Sequence, residues 1–347
     1  MHSNTQLNEP RFDWVASIAR KFMLSQNICK LPVDPFSIAR KQGWPIEKAS
    51  IVAKDIGVSV EYLMMNIIKS KDGAAIYCGI TDEYKIVYND EIRSIGRIRW
   101  TIMHEIGHIV LNHLKDYTQT ILTRGGLSEE NYRILEEEAD FFAGQILAPP
   151  IILSGLKIKS SQDIAKVCKL SKEASIYRYK YYKKWKSMGI VSPEEILIRL
   201  NFDDFINTKH CYTCGAYFVS KDAHYCPFCG NDKLIWGDGE MQYKKGVPLD
   251  ENGVAQICPR CENQDIEPGD IFCKICGMYL IQECTEVIGY NDWGQPYVEK
   301  ESCGYKPASN ARFCPRCGNP TTFYQEGVLK DWKEEKEELE MEESVPF

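Results

Sequence analysis

No apolar run in the 347-residue chain approaches the roughly 20 residues that span a bilayer. Met1 to Pro10 is polar where a secretory leader would carry a basic flank and then an apolar stretch. Membrane insertion and export are therefore not expected, and a cytosolic location is. Cysteine is nearly missing from the first 210 residues: of fifteen, only Cys29, Cys78 and Cys168 lie there. A disulfide scaffold is excluded too, because cytosolic thiols stay reduced, and the twelve cysteines crowded between Cys211 and Cys317 point to bound metal instead. Net positive charge is also lacking. The formal charge is −7, and three tetrathiolate zinc sites plus one further zinc would bring the loaded protein to about −11. Such a chain is a poor general nucleic-acid binder unless a local basic patch overrides the total. What is present is enough residues, 44% of them hydrophobic, for two or more folded domains.

Periodicity gives a mainly helical N-terminal part. Trp14, Ile18 and Phe22 repeat at helical spacing, and Pro35 to Gln42 reads as a short helix opening on proline. Two β-rich runs follow, Ala74 to Ile80 and Tyr84 to Asn89, joined by a polar turn. A helix is expected from Glu91 to Leu114, with Ile98, Ile102, Ile106, Ile109 and Val110 on one face, and another from Glu129 to Leu147.

The first of these helices carries His104-Glu105-Ile106-Gly107-His108. Histidines four apart project to one side, so two imidazoles can share a metal ion and leave a position open for water. Glu105, about 100° around from His104, can take a proton from that water and deliver it to a leaving amine. Gly107 costs roughly 1 kcal/mol of helix propensity against alanine, which implies a close approach there. On the second helix Leu135, Ala139, Phe142, Ala143 and Ile146 define the buried face. Glu137 points away from it, Glu136 sits at one margin and is the expected third ligand, and Glu138 at the other margin is the alternative. Asp140, one turn beyond Glu136, is placed to hydrogen-bond a ligating imidazole. The bland alternative is that these acids only solvate a helix. His113 is about 140° around from His108 on a continuous helix and is expected to be a surface or core residue. Tyr177 and Arg178 are possible oxyanion donors, with packing or surface roles as the plainer alternative.

Arg99 to His108, then Glu136-Glu137-Glu138-Ala139-Asp140-Phe141-Phe142-Ala143 running into Leu147-Ala148-Pro149, resembles the ImmA/IrrE metallopeptidases. The Glu-x-x-Ala-Asp element is similar to the gluzincin pattern, which likewise implies Glu136 as ligand and Asp140 behind the histidines. The resemblance covers roughly residues 30 to 185. It implies a zincin-like α+β domain and cleavage of a transcriptional repressor or antitoxin, often of helix-turn-helix type and encoded nearby, in phage, mobile-element or stress settings. A cysteine-rich extension is not part of that pattern.

Cys211, Cys214, Cys226 and Cys229 share the spacing C-x2-C-x11-C-x2-C with Cys258, Cys261, Cys273 and Cys276. Both sets read as zinc ribbons, a rubredoxin-like iron site being the alternative. Cys284, Cys303, Cys314 and Cys317 form a third set if the stretch between the first two is a hairpin turning at Asn291-Asp292-Trp293-Gly294. His210 and His224 adjoin complete ligand sets and are expected to be bystanders.

The expected organisation is a metallopeptidase domain over 1–188, a linker over 189–206 and a first ribbon over 207–232. A second linker over 233–252 leads to ribbons over 253–279 and 280–325, then an acidic tail over 326–347, solvated as a helix or disordered. One catalytic and about three structural zinc ions are implied. The leading function is a zinc endopeptidase whose ribbons recruit a protein substrate or sense a signal. A DNA-binding regulator is the first alternative, from the helix pair around Leu170-Ser171 and the basic run Lys180, Lys183, Lys184, Lys186. A non-catalytic zinc-ribbon adaptor is the second.

Overall fold

The computed structural model describes residues 8–117, 128–237, 239 and 245–344. Most of the polar N-terminal decapeptide and the last three residues of the acidic tail fall outside that set. The chain forms two compact units, Met1–Ile206 and Asn207–Phe347. Among the described residues no helix is long and apolar enough to cross a membrane.

The first unit opens with α1 (Phe12–Ser25), α2 (Pro35–Lys41), the short strand β1 (Ile46–Lys48), α3 (Ala49–Asp55) and α4 (Val60–Tyr62), which runs into a π-helical stretch, Leu63–Ile68. Strands β2 (Gly73–Cys78) and β3 (Glu83–Tyr88) pair antiparallel, with Ala75 opposite Ile86, and β1 adds parallel to β3. The sheet order β1-β3-β2 leaves β2 at an edge. The two longer strands match the sequence reading; β1 was not anticipated.

Next come α5 (Ile95–Val110), α6 (His113–Asp116) and α7 (Glu129–Leu147), then α8 (Pro150–Gly155), α9 (Ser161–Cys168) and α10 (Lys172–Met188). The Ser94 hydroxyl accepts from the Arg97 amide at the start of α5, and Ser128 does the same for Asn131 at the start of α7. Glu129 and Glu130 in the first turn of α7 complement its dipole, and Pro149-Pro150 end it. Its bounds and its buried face, Leu135, Ala139, Phe142, Ala143 and Ile146, are those expected.

Three expectations are corrected. α5 stops at Val110 rather than Leu114, because Asn112 takes a left-handed conformation (φ 59°) and redirects the chain into α6. α5 is wedged between the sheet and α7, so His108 is buried with Ile102 and Ile106. In α1 the buried stripe is Val15, Ala19, Phe22 and Met23, which leaves Trp14 38% exposed. Residues 189–206, read as a linker, carry α11 (Pro193–Asn201) and α12 (Asp203–Asn207); Ile198 and Phe202 are buried, and α11 packs on α1 and α8.

The second unit contains β4 (Thr208–Cys211), β5 (Tyr217–Val219) and β6 (Leu234–Trp236), in order β5-β4-β6. The hairpin β7 (Val287–Tyr290) and β8 (Pro296–Lys300) turns where the sequence placed it, followed by α13 (Thr322–Gln325) and α14 (Trp332–Ser344). The first and third cysteine modules dock reciprocally. The amides of His224 and Tyr225 donate to the Pro315 carbonyl at 2.8 and 2.9 Å, and those of Arg312 and Phe313 to the Pro227 carbonyl at 2.8 and 3.0 Å. A Cβ on Gly230 would lie 2.9 Å from the Phe313 ring and one on Gly318 2.8 Å from the Tyr225 ring, so each knuckle glycine admits the other module's aromatic residue. The acidic helix α14 is anchored rather than merely solvated: Trp332 is buried with Cys211, Cys226 and Phe228, and Glu335 pairs with buried Arg312.

Gly107 sits where α5 crosses α7, and a Cβ there would come within 3.2 Å of both the Ala139 carbonyl and the Phe142 ring. Both neighbours belong to a buried helix face and have little room to give. Overpacking of about 1–3 kcal/mol then outweighs the roughly 1 kcal/mol of helix propensity that alanine offers. Gly107→Ala is expected to lower the thermal midpoint of the N-terminal unit; a raised midpoint would mean the crossing is loose.

Candidate functional site

α5 and α7 bring His104, His108 and Glu136 together, with one ligand atom from each inside a 4.8 Å cluster. The two Nε2 atoms are 3.0 Å apart, and the Glu136 oxygens lie 3.5 Å from His104 Nε2 and 3.4 Å from His108 Nε2. Nitrogen and oxygen ligands bound tetrahedrally at about 2.0–2.1 Å are separated from one another by about 3.3 Å. The triangle therefore fits one zinc ion, and all three residues line one cleft.

The outer nitrogens are committed elsewhere. Asp140 Oδ1 lies 2.9 Å from His104 Nδ1 and also accepts from Trp100 Nε1 at 3.0 Å, the role the sequence assigned to it. Burial lowers the His104 pKa, but hydrogen bonds to Asp140 and Glu136 outweigh it and hold the imidazole well above its usual value. Burial takes His108 down to about 4. Burial alone would raise Glu136, yet hydrogen bonds from both histidines hold it far below the carboxylate range. The cluster as a whole accommodates positive charge between two rings and an anion, which a divalent cation supplies.

Glu105 is buried beside the cluster, and its Oε2 accepts the Ala75 amide of the edge strand at 2.7 Å. Burial is the chief reason its pKa rises to about 7, where a carboxyl can both accept and return a proton near neutrality. These groups line a cleft of about 270 Å³ whose other walls include Asp72, Gly73 to Ala75, Trp100 and Tyr132. A second depression of about 590 Å³, with Phe12, Ala174 and Tyr177 on its walls, shares Asp72, Trp100 and Asp140 with it.

Glu138, the alternative ligand, is taken out of contention. It is fully buried on the far side, 3.1 Å from His113 Nε2 and paired with Arg11. His113 is a core residue whose Nδ1 lies 2.9 Å from His108 Nδ1. Of the oxyanion candidates, Arg178 is buried, donates to the Ala148 carbonyl at 2.9 Å and lies over Tyr181, outside the cleft. Tyr177 is exposed in the adjoining depression. Tyr132 and Trp100, which line the cleft itself, went unnoticed in the sequence; each sits one helical turn N-terminal to an acid or imidazole of the cluster.

The twelve C-terminal cysteines fall into the three expected groups of four. All fifteen are free thiols. The close Sγ pairs are 3.6 and 3.7 Å apart in the first group, 3.6 and 3.6 Å in the second, and 3.3 and 3.5 Å in the third. Thiolates around a tetrahedral zinc at about 2.3 Å are separated by about 3.8 Å, whereas a disulfide brings sulfurs to about 2.05 Å. The groups fit zinc-ribbon modules, and the amides of Phe228 and Cys229 reach the Cys226 sulfur as knuckle geometry requires. His210 stacks on Tyr217 and stays out of the ligand set.

Metal analysis of the purified chain is expected to give about four zinc ions, one per ligand group. His104→Ala should remove one and leave the other three; loss of none, or of several, would contradict independent sites.

No curated protein matches the chain. Residues 53–180 match the family model described as the IrrE N-terminal-like domain, Peptidase_M78, a stretch that holds His104, Glu105, His108 and Glu136. The segment that builds the cleft is thus a metallopeptidase-like domain, similar to that family over its matched length.

Proposed function

We propose that the N-terminal unit is a zinc-dependent endopeptidase acting on a protein substrate, a helix-turn-helix repressor or antitoxin, in the cytosol. The observation that carries it is the pairing of a two-histidine, one-glutamate cluster with a buried carboxylate, Glu105, on an open cleft. His104, His108 and Glu136 would hold the ion, which when bound supplies Lewis-acid activation of water and of the scissile carbonyl. Glu105 accepts the proton that water loses as its oxygen attacks the carbonyl carbon, and returns it to the amine as the C–N bond breaks. The Ala75 amide holds one Glu105 oxygen, which leaves the other for that transfer. Asp140, itself held by the Trp100 Nε1–H, fixes the His104 ring. Continuity of the cleft with the aromatic-walled depression supports an extended peptide rather than a small molecule as substrate.

The choice of a repressor or antitoxin follows from the resemblance to the ImmA/IrrE metallopeptidases, and the cytosol from the need of twelve clustered cysteines for a reducing compartment. The ribbons would recruit the substrate or sense a signal. Glu105→Gln should keep its zinc while cleavage of a co-encoded repressor falls by at least about 10²-fold. Wild-type cleavage by that variant would remove the peptidase assignment.

A further inference from the structure

His113, Glu138 and Arg11 lie behind the metal cluster and are unused by the chemistry above. On the premise of that metal site, we propose that they form a relay of positioning residues that fixes the tautomer of His108 and so sets how tightly the site holds its ion.

Donor and acceptor counting gives the direction. Arginine has only donors. The Arg11 backbone amide and Nε each donate to Glu138 Oε1 at 2.8 Å, and Nη2 donates to Oε2 at 2.8 Å. Glu138 is therefore an acceptor throughout, and His113 Nε2, 3.1 Å from Oε2, must carry a hydrogen. A neutral His113 then has a bare Nδ1, which can only accept, and the facing Nδ1 of His108 at 2.9 Å must donate. This leaves the lone pair of His108 on Nε2, turned toward His104 and Glu136. Reversing any link would put a hydrogen on His108 Nε2 and close it to a metal.

The fold appears at each link. The left-handed turn at Asn112 swings His113 under His108 instead of letting α5 carry it outward. Glu138 is fully buried and stands two residues after the ligand Glu136 on α7. Arg11 immediately precedes α1, outside the stretch that matches the peptidase family. A segment beyond the matched domain thereby reaches the metal site through three hydrogen-bonded side chains, none of which touches the cleft.

Outer partners of ligating histidines commonly govern metal affinity by about 10–100-fold. In the full-length protein, His113→Phe keeps a flat ring but removes the acceptor, and should weaken the ion of this site by about 10–100-fold in chelator competition. The three tetracysteine ions should be unaffected. Arg11→Met, at a half-buried position, should shift affinity the same way and decides the matter if the His113 variant fails to fold. Unchanged affinity in the folded variants would overturn the proposal.

Imidazole nitrogen NMR of the zinc-loaded wild type gives a readout that mere packing would not move. His108 should be the Nδ1–H tautomer and His113 the Nε2–H tautomer; a hydrogen on His113 Nδ1 would also overturn it. His104→Ala keeps the two ideas apart, since failure of that change to release an ion would defeat the metal site itself rather than the relay.

Discussion

Two imidazole nitrogens point at each other across 3.0 Å with a carboxylate against both. Where each outer nitrogen carries its ring's hydrogen toward Asp140 or His113, the facing lone pairs repel unless a positive charge lies between them. The rest of the N-terminal unit can be understood as what holds that arrangement in place. α5 and α7 must approach closely enough for side chains on both to meet one ion, which Gly107 permits by letting the Ala139 backbone and Phe142 ring come against it. The edge strand then brings the Ala75 amide to Glu105, whose burial outweighs that hydrogen bond and places its pKa near 7.

The C-terminal unit applies the same constraint with sulfur. Each tetracysteine group gathers four like ligands at separations that fit a single cation, and the first two contribute cysteines to small hydrophobic clusters. Reciprocal knuckle docking between the first and third modules, and burial of Trp332 against the first, add packing that isolated ribbons lack. A bound metal and this packing would stabilise one another, since Cys211 and Cys226 belong both to a ligand group and to the cluster that buries Trp332.

Local chemistry was legible in the sequence and long-range chemistry was not. Helical spacing gave the extent of α7, its buried face and the placement of Glu136 and Glu138 at its two margins, because a helix fixes which residues share a side; the family resemblance likewise pointed to Glu136. Cysteine counting gave the third ligand group and its inserted hairpin, since four thiolates are needed per site. The role of His113 stayed hidden because its angle was reckoned on a continuous helix, and a single left-handed residue at Asn112 breaks that reckoning. Arg11 meets Glu138 across 127 residues of chain, a separation no local pattern encodes. In the acidic C-terminal stretch the charge count hid one tryptophan and one buried ion pair.

The most direct measurement is an anomalous difference map of zinc-loaded crystals at the zinc absorption edge. One peak should lie about 2.0–2.2 Å from His104 Nε2, His108 Nε2 and a Glu136 oxygen. No peak between those atoms, or one coordinated by Glu138 instead, would contradict the account.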